Sequence, residues 1–379
     1  MTRSGQSRRR ILVVSDVSLG YGTPQILRAA ESLASAFDAD VLVLEPDEPE
    51  RPAVDIRDHV STLDIRLKRI FTTTHPYASA GRVEFALAAA REVETFKPSI
   101  ILFCSDYGLP ILLRIDPSKS LNIFYCLEEV HERPNPDWRP LVAHCDLIIF
   151  PEANRAKLYY EIISGKRGGP EALILFNANY ERVTTPPEKT IKRLFYGGSF
   201  HKEMTCAANF LEPKIAAMPI DVYGLIRGFD DEMAVRRQMM GVRGGIRYCG
   251  YLEADAKYFR LLSQYQYSIV IWNPVNSAQL YAAPNKFFDA IACGTPPICA
   301  PHPQCVEVIQ KWRCGLLLDD WSAEAMRSRL RQAIRMIGTD DHKEMVQNCL
   351  IAMQRELAWP AQFEKVLSAI RRRLDARPV

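Results

Sequence analysis

Three short stretches combine residue types that could hold a phosphorylated sugar. In Tyr196-Gly197-Gly198-Ser199-Phe200-His201-Lys202, two adjacent glycines shortly precede a lysine. Glycines let backbone N–H groups come close to a diphosphate, and the lysine adds one mobile positive charge. A lysine in a loop can equally be a solvated surface residue. In Asp16-Val17-Ser18-Leu19-Gly20-Tyr21-Gly22-Thr23, Gly20 and Gly22 lie between an apolar run and a helical stretch. Free N–H groups at that helix start could meet a phosphate or a sugar hydroxyl. A plain tight turn would read the same way, since neither GxGxxG nor the lysine of a P-loop is present. The third stretch, 283–298, is the most specific. Asn285 and Lys286 open a helix whose N-terminus attracts anions, so Lys286 would face a diphosphate. Asp289 is offset from Phe287, Ala290 and Ile291, which can pack inward, and its carboxylate can accept from the two hydroxyls of a ribose. Gly294 falls where the helix must end, the usual place of a C′ glycine.

These loops need strands to position them. Arg10–Ser15 is a compact apolar run, followed by Ile26, Leu27, Ala30, Leu33, Ala34 and Phe37 at helical spacing. Val41–Leu44 predicts a second strand, and the helical stretch Val83–Phe96, stopped by Pro98, leads into a third, Ser99–Phe103. Asn122–Tyr125 and Asp146–Phe150 predict two more. Beyond Thr184-Thr185-Pro186-Pro187-Glu188-Lys189, a linker candidate because paired prolines continue neither helix nor central strand, the alternation restarts. Strands are expected at Ile191–Tyr196, Ile220–Tyr223, Ile246–Cys249, Ser268–Trp272, Pro297–Ala300 and Gly315–Leu318, with helices at Lys286–Cys293 and Ser322–Ile337. Continuous apolar strands separated by helices mean parallel sheets covered on both faces. The expected fold is therefore α/β, with two Rossmann-like domains facing across a cleft. Residues 1–185 form the first domain and 190–358 the second. An amphipathic helix within 359–379 carries Phe363, Val366, Leu367 and Ile370 on one face.

Bulk properties limit the function. At 379 residues, 47% hydrophobic and 25% charged, the chain reads as a two-domain globular protein. Its net charge of +3 makes no case for nucleic acid. No apolar run approaches the roughly 20 residues that span a bilayer. The arginines at 8–10 precede only Ile11–Val14 before Ser15 interrupts, so no signal-peptide core is expected and the protein should stay in the cytoplasm. The ten cysteines are scattered singly and are expected to be reduced. Arg8–Arg10 and Arg371–Arg373 are either solvated tails or a weak attraction to an anionic membrane face, worth about 1 kcal/mol per basic residue.

The segment Pro284-Asn285-Lys286-Phe287-Phe288-Asp289, with Gly294, Pro296 and Pro297 behind it, resembles the hallmark of the group 1 family of retaining glycosyltransferases, which have the two-Rossmann GT-B fold. The likeness continues through Glu307 and Cys314-Gly315-Leu316-Leu317-Leu318, covers most of 190–335, and reaches the first half only in outline. The resemblance implies that Asp289 holds the donor ribose and that Lys202 lies near the diphosphate-binding lysine. Gly250-Tyr251-Leu252 matches the turn whose backbone reads the base. It also departs from the family: Tyr281 stands where many members carry a second acidic residue, and Gly198 stands in place of an arginine. The helix after Trp359 looks like the family's crossover helix, packing back towards the first domain. In such a fold the first domain supplies the acceptor site. There Glu128, Glu129 and His131, after the strand ending at Tyr125, are the candidates for acceptor contact, or else ordinary surface residues.

The resemblance implies transfer of a sugar from a nucleoside diphosphate to a hydroxyl with retained anomeric configuration, the acceptor being a glycan or glycolipid of bacterial surface polysaccharide assembly. The basic termini allow a peripheral contact with the inner membrane face. No DxD-type metal motif stands out, so no metal or cofactor beyond the donor itself is expected, and helix N-termini with Lys202 or Lys286 would stabilise the leaving diphosphate. Two other readings remain: a sugar-nucleotide 2-epimerase on the same fold, and a non-catalytic nucleotide-sugar-binding scaffold, which Tyr281 and Gly198 favour. The absence of GxGxxG after either first strand argues against a dehydrogenase.

Overall fold

The computed structural model describes residues 8–20, 23–51, 65–127, 139–161, 170–178, 188–240, 243–252 and 256–377. Two compact units emerge, one from Met1–Phe176 together with Gln362–Val379, the other from Asn177–Ala361. The stretch 184–187 lies outside the described residues.

Among its described residues the first unit holds seven strands: β1 (Arg9–Val14), β2 (Ala39–Pro46), β3 (Ile65–Ile70), β4 (Ile100–Cys104), β5 (Leu121–Tyr125), β6 (Leu147–Phe150) and β7 (Glu171–Ile174). Their order in the sheet is β3-β2-β1-β4-β5-β6-β7, and every pair is parallel. Helices Pro24–Phe37 and Ser79–Phe96 supply buried faces beside it, including Ile26, Ala30 and Leu33 from one and Phe85 and Ala89 from the other. The strand anticipated third is thus the fourth, because β3 was not foreseen, and neither was β7. In the C-terminal helix Trp359–Asp375, the residues Phe363, Val366, Leu367 and Ile370 are buried. Arginines of this helix and of the residues just after it are engaged within the unit. Arg377 pairs with Asp146 at 2.9 Å, and Arg372 and Arg373 reach Glu171 at 2.9 and 3.4 Å. At the other end Arg8 pairs with Asp38, and Arg9 lies over the ring of Phe37.

The second unit holds β8 (Ile191–Gly197), β9 (Phe200–His201), β10 (Ile220–Tyr223), β11 (Ile226–Arg227), β12 (Arg247–Gly250), β13 (Tyr265–Val270), β14 (Pro297–Cys299) and β15 (Leu316–Leu317). Six of them form a parallel sheet in the order β12-β10-β8-β13-β14-β15, and β9 pairs with β11 separately. The strand expected at Ser268–Trp272 starts and ends earlier, because Tyr265 and Tyr267 pair with Ile191 and Leu194 of β8. Trp272 therefore stands in the loop beyond the strand.

In both sheets the chain builds outward on one side of its first strand, then crosses to the other. The crossing leaves β1 beside β4 in one unit and β8 beside β13 in the other. Loops leaving such neighbouring strands diverge, and the crevice outside their carboxyl ends is where open α/β sheets take ligands. All ten cysteines are free, and nine are buried. Among the described residues no helix is long and apolar enough to cross a membrane.

Candidate functional site at the β8/β13 crevice

β8 closes on Gly197, and the space a side chain would need there is filled. A Cβ would fall 2.5 Å from the ring of Phe195 and 3.4 Å from that of Tyr258. Gly198 follows at φ +123°, where L side chains are strained. Gly224, just past β10, is pressed against it so closely that a Cβ would lie 1.9 Å from the Gly198 carbonyl oxygen. The N–H of Gly224 in turn donates to the carbonyl of Gly250 at the end of β12, at 2.8 Å. The carboxyl ends of three strands thus meet as bare backbone.

Facing this backbone is the helix Asn285–Ala292, whose N-cap residue Pro284 offers no side-chain acceptor to the first turn. Lys286 is its second residue. Its Nζ is buried and makes no hydrogen bond among the described residues, and it lies 4.8 Å from the ring centres of both Tyr196 and Trp272. Burial pulls its pKa down to about 8, against the opposing charge of Asp289. Asp289 sits nearly one turn further on. The sequence offset it from the inward residues, yet it is buried with them. Its Oδ2 accepts a long hydrogen bond of 3.5 Å from the Tyr258 hydroxyl, while Oδ1 has no partner among the described residues. Burial pushes the Asp289 pKa up to about 8, against the hydrogen bond from Tyr258 and the charge of Lys286.

Trp272, in the loop leaving β13, has a buried indole Nε1 with no hydrogen-bond partner among the described residues. Its backbone N–H donates to Nε2 of His302 at 3.3 Å, and the other ring nitrogen of His302 lies 3.2 Å from the Leu280 carbonyl. Because Nε2 accepts, the proton belongs on Nδ1, donating to Leu280. Burial lowers the His302 pKa to about 4, so the ring is neutral at physiological pH. His302 thereby ties Trp272, just after β13, to the end of the short helix Ser277–Leu280.

The structure brings Gly197, Gly198, Lys286 and Asp289 together, with Gly250 adjoining through Gly224. Asn285 opens the helix and is partly buried, and Tyr251 is exposed just past β12. Lys202 lies exposed in the turn after β9, so the ammonium that stands against Gly198 is that of Lys286. In the first unit Gly20 is exposed at φ +90°. The loop around it already spends its N–H groups: Ser18 donates to Glu48 and Leu19 to Glu45, both at 2.6 Å. Two carboxylates there oppose an anionic occupant. Gly22, Glu128, Glu129 and His131 lie outside the described residues. Tyr258, Trp272 and His302 went unforeseen, since a single aromatic or histidine in a loop or short helix carries no spacing signal.

No protein-family model and no curated protein matches this chain by sequence. Its fold, however, is shared with solved structures. A sucrose-phosphate synthase from Thermosynechococcus elongatus superposes with a TM-score of 0.69 at 15% identity, over 98% of this chain and 100% of its own. A glycosyltransferase from Rickettsia africae gives 0.69 at 10% identity, over 98% and 100%. HepE from Anabaena, solved in complex with UDP and glucose, gives 0.68 at 12% identity, over 96% and 99%. With its two parallel sheets, the chain has the GT-B fold of these glycosyltransferases.

Proposed function

We propose that the protein is a retaining glycosyltransferase that moves a sugar from a nucleoside diphosphate to a hydroxyl acceptor without a metal ion. One observation carries this reading. Among the described residues the Lys286 ammonium is buried without a hydrogen bond, at the uncapped start of a helix and against the bare backbone of Gly198. A buried charged donor without an acceptor is costly, and an anion supplies the acceptor it lacks. The helix start adds partial positive charge of the same sign. A diphosphate placed there would have the donor ribose within reach of the unpartnered Oδ1 of Asp289.

In the reaction, the bond from the anomeric carbon to the diphosphate oxygen breaks as the acceptor oxygen bonds to that carbon on the same face. The acceptor proton leaves with the diphosphate. Charge grows on the leaving oxygen as the bond breaks, and Lys286 with the helix start would stabilise it most at that moment. The acceptor, a glycan or glycolipid of bacterial surface assembly, would be received by the first unit, with Glu128, Glu129 and His131 as contacts.

Thermal unfolding with UDP, GDP, ADP and CMP, on the wild type and Asp289→Ala, tests the reading. A nucleotide at 100 times its Kd stabilises by roughly 2.7 kcal/mol, a shift of several degrees. The expected result is one diphosphate that raises the midpoint of the wild type alone. Sugar transfer with net release of that diphosphate then separates a transferase from an epimerase, whose final product still carries the diphosphate, and from a scaffold, which turns nothing over. No shift with any nucleotide would reject the donor site.

A further inference from the structure

Lys286 is not the only donor left without an acceptor at the β8/β13 crevice. The indole N–H of Trp272 is also buried and unpartnered among the described residues, and the ring that carries it lies 4.8 Å from Nζ of Lys286. A tryptophan N–H can only donate, and buried ones ordinarily find an acceptor. The Trp272 backbone is held in place besides. Its N–H is bonded to His302, and the N–H of the next residue, Asn273, donates to the Met204 carbonyl at 2.8 Å. A donor group fixed by its backbone, next to an ammonium in the same state and at a strand crossing, is preorganised for an oxyanion rather than left over from packing.

We propose that Trp272 Nε1 is a second donor to the diphosphate, binding the same anion as Lys286. The assignment rests on the donor-site reading above and adds a residue to it. The ammonium supplies charge and the indole supplies direction. A diphosphate bound by both is fixed in orientation as well as attracted, so the bond to be broken is held in one line relative to the helix start.

Inorganic pyrophosphate is the probe, since it lacks base, ribose and sugar. The chain has five tryptophans. In protein labelled with 15N at tryptophan, the indole resonance lost in Trp272→Phe identifies Nε1 of Trp272. Adding pyrophosphate to the wild type should move that resonance downfield, as a new charge-assisted hydrogen bond does. By calorimetry, Trp272→Phe should bind pyrophosphate about tenfold more weakly, or about 1.4 kcal/mol. Phenylalanine keeps a ring beside Lys286, and the wild-type spectrum gives a readout independent of how the variant folds. Suppose the resonance stays still and Trp272→Phe keeps full affinity while Lys286→Met loses it. The Trp272 assignment then falls and the donor site stands. If the wild type binds neither pyrophosphate nor any nucleoside diphosphate, both fall.

Discussion

A Cβ on Gly198 would lie 3.0 Å from Nζ of Lys286. The missing side chain is what lets the ammonium stand against the strand end. Gly198→Ala would meet two resistances. The lysine tip is flexible and can move aside, but a φ of +123° stays strained for alanine, at about 1–3 kcal/mol. The expected outcome is a midpoint lowered by several degrees and weaker nucleoside diphosphate binding. Calorimetric titration beside a thermal melt separates the two effects. Full affinity in a destabilised variant would show that the ammonium does not need that space.

Lys286 should also make binding depend on protons. Burial has brought its pKa down to about 8, against the pull of Asp289. A diphosphate alongside favours the charged form and raises that value again. Between about pH 8 and pH 10 the free protein is largely deprotonated there and the complex is not, so binding takes up as much as one proton. Titrations at pH 9 in buffers of different ionisation heat should show the uptake, and Lys286→Met should abolish it. Near pH 7, where Lys286 is charged both free and bound, its contribution vanishes. Equal heats in all buffers at pH 9 would reject Lys286 as the anion's partner.

The residues that were legible in the sequence are those whose environment repeats along the chain. Ile11–Val14 of β1 and all of β4 are buried and read as unbroken apolar runs, whereas Gln266 and Ser268 interrupt β13 and hid its start. β3, Ile65-Arg66-Leu67-Lys68-Arg69-Ile70, lies at the sheet edge and alternates with charge, which protects an open edge but hides the strand. β7 is a four-residue edge strand only half-buried along its length, with the same result. Within the site, Lys286 and Asp289 share one helix and could be read from their spacing. Trp272 and His302 are thirty positions apart and meet only because the chain crosses from β13 to β14. Lys202 is near Gly198 in sequence, but β9 and its turn carry it to an exposed position.

The second unit depends on a charge buried in its sheet. Asp221 in β10 is fully buried, and its carboxylate accepts from Arg193 at 2.6 Å, from Arg247 at 2.7 and 2.8 Å, and from Tyr265 at 2.7 Å. Burial alone would raise its pKa, but the hydrogen bonds from Arg247, Tyr265 and Arg193 outweigh it and hold it below the ordinary carboxylate value. Asp221→Asn keeps the shape and leaves two guanidinium groups facing a neutral amide. Both arginines retain some access to water, so the expected loss is about 2–3 kcal/mol, below that of a fully enclosed pair. A lowered pKa stabilises above the unfolded value and is lost as pH falls through the folded one. The gap between wild type and variant in urea unfolding should therefore be full at pH 7 and shrink in acid. A gap unchanged down to pH 2 would show that the charge contributes nothing.

Asp289 shows the opposite sign. Its pKa is raised from 3.8 to about 8, by burial above all, while Tyr258 and Lys286 pull it down. From about pH 4 to pH 8 the folded protein keeps a proton that the unfolded chain has released, so this residue lowers stability steadily as pH rises through that window. Asparagine resembles the protonated acid and does not titrate. Below pH 4 Asp289→Asn should match the wild type closely, and it should gain on it up to about pH 8. In nucleotide binding the order should reverse. At and above about pH 8, where Asp289 is ionised, the amide of the variant would offer one acceptor oxygen in place of two, so affinity should fall severalfold there. A variant that is more stable at about pH 8 and binds nucleotide more weakly is the signature of a residue kept for its ligand at the expense of the fold. A stability difference constant from pH 4 to pH 8 would instead mean that Asp289 is already ionised in the folded protein.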